Sequence, residues 1–187
     1  METVEHPRRP VRLVDGELVP YDDARVSDCV VWFPVPDALD EGGPQVEGLP
    51  AVRIDQTHAR LTGVPFFPYH LGLGDEVELL DVDGTLSAVE VTVAARVVVA
   101  RVFHEGADIP IEEALADPPS DEPFYRILRA LAPHGCWFER YSSNYAALSV
   151  DVEEWEYVEA FLDLRSRTEG LRYEVATPMR TPTRTEP

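Results

Sequence analysis

The segment of residues 61–80, LTGVPFFPYHLGLGDEVELL, constrains the fold more than any other part of this chain. Pro65 and Pro68 each fix φ at about −65° and remove a backbone donor, so the two phenylalanines between them lie in an extended segment. Gly74 and Asp75 then favour a turn, and the alternation of apolar and acidic residues after it is typical of a half-buried strand. The segment therefore predicts an aromatic corner that leads into a β-sheet.

This aromatic corner has two interpretations. Its rings can pack as core, because each aromatic side chain buries roughly 150–250 Å². Alternatively, the corner is a platform for a ligand or a partner, and the candidate binding residues are then Phe66, Phe67, Tyr69, His70 and Asp75. The core interpretation is favoured, because aromatic residues in loops between strands usually pack.

The charge of the chain is strongly negative. It has 35 acidic and 16 basic residues, a net charge of −19, and its acids are dispersed along the sequence. Such a charge repels nucleic acid and anionic lipid and favours a protein partner with a basic surface. An immunity- or inhibitor-like protein that neutralises a basic effector, or an accessory protein, fits this pattern. Every basic residue is arginine, so mechanisms that need a catalytic or phosphate-binding lysine are excluded.

The chain has neither a long apolar run nor an apolar signal core near its first residue. We therefore expect no membrane span and no secretion signal, and a cytoplasmic location. Cys29 and Cys136 are the only cysteines and lie far apart in the sequence. Reduced thiols are favoured over a disulfide between them.

The first half of the chain is rich in predicted strands. Residues 1–23 form a flexible arm, and residues 24–92 form a β-rich half in which residues 37–50 are a loop. Asp83-Gly84 between two alternating segments predicts a hairpin, 76–82 with 86–93. Short strands of this kind curl into a small antiparallel barrel or sandwich.

The second half has a different pattern. After an acidic connector, residues 104–120, Pro123 opens a helix for which Ser120 or Asp121 is the predicted N-cap. A hairpin, a second helix over 152–167 and a last strand over 171–175 follow. The order strand-helix-strand-strand-helix-strand predicts a ferredoxin-like βαββαβ half over residues 93–176, with a disordered tail at 177–187. The expected fold class is thus α+β.

Several short motifs resemble those of one family. They are Trp32-Phe33, the ARLTGVPFF of residues 59–67 with the GDEV of 74–77, Gly135-Cys136 with Glu139, and the LRYE of 171–174. Together they resemble an uncharacterised, mainly actinobacterial domain family of unknown function, over about residues 26–176. Members usually carry a glycine-containing segment that ends in Thr-x-Arg, whereas residues 94–101 here are valine-rich. The resemblance implies a folded domain and transfers no catalytic residue.

The only segment that resembles a catalytic motif is Asp81-Val82-Asp83-Gly84-Thr85. It is similar to the first motif of haloacid-dehalogenase-type phosphatases, in which two aspartates and Mg²⁺ act on a phosphate ester. That chemistry also needs a cation, a hydroxyl, further acids and a parallel sheet. No lysine is present and the next segment is another strand, so a hairpin turn is the favoured interpretation.

No other constellation predicts chemistry. Among the histidines and cysteines, only His134 and Cys136 are close enough in sequence for shared metal binding, and we predict no metal site and no cofactor. The leading hypothesis is a non-catalytic acidic binding protein. The alternatives are a small-ligand sensor, walled by the aromatic corner and the connector over 105–119, and a Mg²⁺-dependent phosphatase at Asp81 and Asp83.

Overall fold

The computed structural model describes residues 3–6, 9–21, 27–35, 44–105 and 122–177. Within these residues the chain forms twelve strands, two α-helices and one short 3-10 turn over Ala132–His134. The strands are β1 (Thr3–Glu5), β2 (Val11–Val14), β3 (Glu17–Pro20), β4 (Cys29–Pro34), β5 (Val46–Arg53), β6 (His58–Leu61), β7 (Glu76–Val82), β8 (Thr85–Val93), β9 (Val97–His104), β10 (Trp137–Arg140), β11 (Tyr145–Asp151) and β12 (Leu171–Val175). The helices are α1 (Pro123–Leu131) and α2 (Trp155–Thr168).

The strands form two sheets. The first is mixed and belongs mainly to the β-rich half, and the second is antiparallel. The order of the first sheet is β1-β5-β4-β8-β7-β6, and β5 also pairs with β6. Five strands are therefore paired in a closed ring, in which the contact of β4 with β8 is parallel. Ten of the apolar side chains buried in this half form one cluster, Val31, Phe33, Leu49, Ala51, Ala59, Leu61, Leu71, Val77, Leu79 and Leu86.

The second sheet has the order β12-β9-β11-β10-β2-β3, and all its pairs are antiparallel. One of its faces packs against the two helices, because Val98, Ala100 and Val102 of β9 share a core cluster with the buried residues of α1 and α2. Val99 lies between these residues, points to the opposite face of β9 and packs with Phe66 of the aromatic corner in another cluster. Neither α-helix of the described ranges is long and apolar enough to cross a membrane. The two sheets and their helices confirm the α+β class.

The predicted hairpin at Asp83-Gly84 is confirmed. β7 and β8 are antiparallel, with Val82 opposite Thr85. Asp83 and Gly84 have φ values of 52° and 85°, and Asp81 Oδ1 accepts a hydrogen bond from Gly84 N at 2.8 Å. Positive φ at both central residues is the type I′ geometry that matches the twist of paired strands.

The loop predicted over residues 37–50 ends earlier than expected. Residues 37–43 lie outside the described ranges, but β5 already begins at Val46 and continues through Gly48 and Pro50. A Cβ on Gly48 would lie 3.0 Å from the Trp32 ring, so glycine serves close packing here and not a turn. Pro50 has no N–H to donate, but its carbonyl accepts a hydrogen bond from Thr62 N at 2.9 Å.

The N-terminal segment predicted as a flexible arm contributes three strands. β1 pairs in parallel with β5 of the first sheet, whereas the β2–β3 hairpin pairs with β10 of the second. Val4 of β1 and Leu13 of β2 are buried, so each of these two strands is held by an apolar side chain, whereas β3 has no buried residue and is held by its pairing with β2. The segment therefore joins both sheets.

Three other predictions concern segment ends. The N-cap of α1 is Glu122, whose side chain accepts from Tyr125 N at 2.8 Å, while Ser120 and Asp121 lie outside the described residues. The connector over 105–119 also lies outside them, except for Glu105. Of the tail, Thr177 is described; it is buried, and its hydroxyl donates to Leu71 O at 2.7 Å.

Candidate functional site

Three ionisable side chains meet between the two sheets. His6 follows β1, Glu47 lies on β5 and Glu139 lies on β10. The Nδ1 of His6 lies 2.5 Å from Glu139 Oε1, and its Nε2 lies 2.8 Å from Glu47 Oε1. All three side chains are at most 1% exposed. We call these three residues the ion cluster.

The aromatic corner supplies the remaining hydrogen bonds of the ion cluster. Glu139 Oε2 accepts from Val64 N, and the two oxygens of Glu47 accept from Phe66 N and Phe67 N, each at 2.8 Å. Pro65 has no N–H to satisfy. The Phe66 ring stacks on His6 with a centroid distance of 4.5 Å. Every carboxylate oxygen of the cluster therefore has a partner, which is what buried charges require.

The geometry favours a protonated histidine. Both ring nitrogens face carboxylate oxygens, and only an imidazolium can donate through both. Burial, the largest single effect, lowers the pKa of His6, but the attraction and hydrogen bonds of Glu139 and Glu47 outweigh it and raise this pKa to about 9. Burial also raises the pKa of Glu139, and His6 and the Val64 amide only partly offset that effect. The cluster thus holds protons more tightly than its separated groups do.

The ion cluster is sealed, and this determines what it can do. A general acid or base must reach the proton that it transfers, directly or through one water. At 1% exposure or less, these side chains are closed to solvent in this conformation. The arrangement therefore connects four parts of the chain. His6 after β1 binds Glu47 of the first sheet and Glu139 of the second sheet, and both glutamates bind amides of the aromatic corner.

The five candidate binding residues of the corner are placed in different environments. Phe66 is fully buried, while Phe67 is half-buried, stacked on Tyr145 with centroids 5.8 Å apart. Tyr69 and His70 are exposed, and His70 has a φ of 64°. Asp75 is 1% exposed; its carboxylate accepts from Gly72 N at 2.9 Å and from Ala95 N at 2.7 Å. The structure thus does not assemble the five side chains on one surface.

Tyr69 leads to a cleft on the second sheet. The guanidinium of Arg101 lies 4.2 Å from the Tyr69 ring centroid, and its Nη2 donates to Pro68 O at 2.7 Å. The cleft beside it has a volume of about 320 Å³ and is lined by Arg101, Phe103, Tyr145, Arg172, Tyr173 and Glu174.

The β7–β8 hairpin presents a second exposed feature. Val77 and Leu79 point into the first half, and the alternate residues therefore face outward. Four aliphatic side chains of this hairpin are more than half exposed, and five acids accompany them in residues 76–93, which contain no basic residue. We call the outward-facing set Glu76, Glu78, Leu80, Val82, Val89, Glu90 and Val93 the hairpin face, in which Glu76 and Glu78 are partly buried and the other five are exposed.

The remaining candidates are placed singly. Cys29 and Cys136 are both free thiols, and burial raises their pKa values to about 11 and about 12. His134 Nδ1 lies 2.8 Å from Glu154 Oε2 and thus has a carboxylate partner. In the part of the chain that the structure describes, no group of three or more His, Cys, Asp or Glu side chains is arranged so that it could hold a metal ion.

No protein-family model and no curated protein matches this chain. A solved structure that it resembles is a crystal structure described as that of a hypothetical protein from Neisseria gonorrhoeae. The likeness has a TM-score of 0.61 at 16% sequence identity, and it covers 82% of this chain and 95% of that one. It shows a shared fold and carries no function. The resemblance to an actinobacterial domain family stays a prediction.

The ion cluster as a unit is not predicted by the sequence. Glu139 is singled out there only as part of a family motif, and His6 and Glu47 are not singled out. The sequence does contain one indication that Glu47 is buried. Glu47 points to the same face of β5 as Leu49 and Ala51, which are both buried. An acid in the apolar phase of a strand indicates a buried partner.

Proposed function

We propose that this chain is a non-catalytic, acidic, cytoplasmic binding protein whose hairpin face docks on the basic surface of a protein partner. The observation that supports this is the composition of the face. Leu80 is 53% exposed, and Val82, Val89 and Val93 are exposed to a similar degree. The hairpin itself contains no cation, and Glu76 is the acid of the face that pairs with an arginine of a neighbouring strand, Arg60 of β6, at 2.9 Å.

Each component of the face has a distinct role in such a contact. The aliphatic side chains supply apolar area, which favours association when it is removed from water. The carboxylates attract a basic partner over longer distances and accelerate its approach, while they repel nucleic acid and acidic proteins. An immunity- or inhibitor-like protein that neutralises a basic effector would use a surface of this kind.

The β7–β8 hairpin supports binding better than it supports phosphate-ester hydrolysis at Asp81 and Asp83. Asp81 Oδ1 accepts the hydrogen bond that closes the turn, and Asp83 occupies a turn position with positive φ. Both belong to an antiparallel hairpin, whereas the phosphatase motif needs the carboxyl edge of a parallel sheet. The turn thus accounts for both aspartates.

The experiment compares two triple variants in a salt-dependent capture from the host. The test variant, Glu78→Gln/Leu80→Ser/Glu90→Gln, removes two charges and one exposed leucine from the hairpin face. The matched control, Glu156→Gln/Glu159→Gln/Leu164→Ser, removes the same groups from α2, where Leu164 is 59% exposed. The retained protein is then purified and its affinity is measured for all three chains.

We expect a basic protein that binds wild type and control alike and that salt releases. Exposed charge pairs contribute about 0.2–1 kcal/mol each, so the loss of two charges alone is expected to weaken binding about 2- to 30-fold, and the loss of the exposed leucine adds to this. A partner that binds both variants equally well, or that ignores ionic strength, would contradict the proposal.

A finer description of the fold is also proposed. The second half is a ferredoxin-like unit, a proposal supported by the antiparallel order β12-β9-β11-β10 and by helices between β9 and β10 and between β11 and β12. The first half is instead a ring-like sheet of five paired strands around one apolar cluster, and it is not the antiparallel barrel that the sequence predicts, because β4 and β8 pair in parallel.

A further inference from the structure

The cleft on the second sheet is built by strand register. Tyr145 of β11 and Arg172 of β12 lie directly opposite Phe103 of β9, one on each side. Glu174 lies opposite Arg101 in the next row. Directly opposite residues in a sheet point to the same face. The cleft therefore has an aromatic centre, formed by Phe103 and Tyr145, with arginines at two of its borders.

The two arginines differ in how firmly they are held. Arg101 is 4% exposed and is fixed by Pro68 O, by Glu174 Oε1 at 2.7 Å and by the Tyr69 ring. Arg172 is 74% exposed, and its ion pair is with the exposed Glu105. Exposed pairs of this kind contribute about 0.2–1 kcal/mol, so an incoming anion can replace Glu105 at little cost. Arg172 is thus the cation that a ligand meets.

The aromatic wall is rigid. The hydroxyl of Tyr145 donates to Phe66 O at 2.7 Å, and its ring stacks on Phe67. Its polar end is therefore already satisfied, and the ring offers an apolar surface to the cleft. A planar ring can stack on such a surface, and ring pairs contribute more than their buried area alone.

The charges of the cleft limit the ligand to at most a single negative charge. Glu174 stands beside Arg101 and Glu105 beside Arg172, so the four groups sum to no net charge. A dianion such as phosphate would meet two carboxylates and the field of a chain with net charge −19. One carboxylate suits the planar, bidentate donor pair of a single guanidinium.

We propose that this cleft binds a small aromatic monocarboxylate, with its ring on Phe103 and Tyr145 and its carboxylate on Arg172. The volume of about 320 Å³ lies at the small end of the roughly 300–1,000 Å³ of ligand sites. The site is separate from the hairpin face, and it does not depend on the protein-binding role proposed above.

The test is a titration of the full ¹⁵N-labelled chain with benzoate, followed by NMR. Cyclohexanecarboxylate keeps the charge without the aromatic ring, benzamide keeps the ring without the charge, and inorganic phosphate supplies a dianion. The variants are Arg172→Gln and Phe103→Leu, with Arg167→Gln as the matched control, an arginine of α2 that is 77% exposed. The spectrum of each free variant reports whether it is folded.

We expect saturable binding of benzoate with a dissociation constant at or below about 1 mM, and shifts centred on the amides of β9 and β12. Arg172→Gln is expected to weaken binding about tenfold, Phe103→Leu severalfold, and Arg167→Gln not at all. Benzamide and cyclohexanecarboxylate should each bind more weakly than benzoate. Equal affinity of Arg172→Gln and wild type, tighter binding of phosphate, or no saturation by about 10 mM benzoate would overturn the proposal.

Discussion

The ion cluster and the hairpin face reverse the usual distribution of residues. In the ion cluster three ionisable side chains are buried between two sheets, although charged groups are rarely buried. In the hairpin face, aliphatic side chains are more than half exposed, at positions where a strand normally carries polar residues. The two regions lie on the same ring of strands, since Glu47 belongs to β5 and Leu80 to β7.

The difference between them is whether each group has a partner within the chain. Each carboxylate oxygen of the ion cluster accepts from His6 or from a corner amide, so the buried polar network is complete. The aliphatic groups of the hairpin face have no such cover among the described residues. A complete interior network indicates a role in stability, whereas an uncovered apolar face beside acids indicates a role outside the chain.

The largest effect is expected when the ion cluster loses its cation. His6→Leu leaves two carboxylates buried without their shared imidazolium, and breaking a buried ion pair typically costs about 3–5 kcal/mol. We expect the free energy of unfolding, measured with urea at neutral pH, to fall by that amount. His58→Leu, at a half-exposed histidine paired with the exposed Asp55, should change it by less than about 0.5 kcal/mol.

The cost of His6→Leu should depend on its partners. In a Glu47→Gln/Glu139→Gln background no charge is left to neutralise, so the same substitution is expected to cost much less, which a mutant cycle would measure. If His6→Leu costs under about 1 kcal/mol in the wild-type background, the cluster does not hold the sheets together.

A second test leaves the sequence intact and changes the pH. The pKa of His6 is about 9 in the folded chain and about 6.5 when unfolded, so its contribution is fully present below the unfolded pKa. It is lost as the pH rises through the folded pKa, and the raised pKa of Glu139 acts with the same sign. We expect the free energy of unfolding to fall by about 2 kcal/mol between about pH 6 and about pH 8.5.

NMR titration of the His6 ring gives an independent measure of the same property. Its midpoint should lie near 9. A triple variant, His6→Leu/Glu47→Gln/Glu139→Gln, should show a nearly flat stability over this pH range. A midpoint at the ordinary value of about 6.5, or a wild-type stability that does not change, would contradict the imidazolium assignment.

Local signals in the sequence predicted local structure well. The Asp83-Gly84 turn, the helix opened by Pro123 and the succession of strands and helices along the second half all depend on residues close in sequence. Favouring the core interpretation of the corner was also appropriate for Phe66, which is fully buried. Turn geometry and hydrophobic period are sufficient in these cases, because neither requires a distant partner.

Long-range partners could not be predicted in the same way. β1 gains its stability from β5, about forty residues later, and β2 from β10, so the partner strand of neither is recognisable in the sequence. Glu47 and Glu139 resemble surface acids until His6 and the corner amides are brought to them. The hairpin face was missed because alternation indicates which residues face outward, and not whether they are covered.

A smaller effect is expected at Asp75, a buried acid that accepts hydrogen bonds from two backbone amides. Asp75→Ala leaves the amides of Gly72 and Ala95 without their carboxylate, and an orphaned buried donor costs about 1–3 kcal/mol. Urea unfolding should show a loss in this range, with Asp75→Asn intermediate because it keeps one acceptor oxygen. A loss as large as that of His6→Leu would show that buried amides alone, without a buried ion pair, explain the stability of the corner.

The smallest effect is expected on the hairpin face, where adjacent leucines give a matched pair. Leu79 is 8% exposed and points into the ring, so Leu79→Ala should lower the free energy of unfolding by about 2–5 kcal/mol. Leu80 points outward, and Leu80→Ala should change it by less than about 0.5 kcal/mol. If Leu80→Ala destabilised the isolated chain by more than about 1 kcal/mol, part of the same chain would have to cover the face, and the docking surface would be occupied from within. A near-zero change in stability together with weaker capture of a basic partner would instead separate the two regions by function, because the exposed leucine would then matter only when the partner is present.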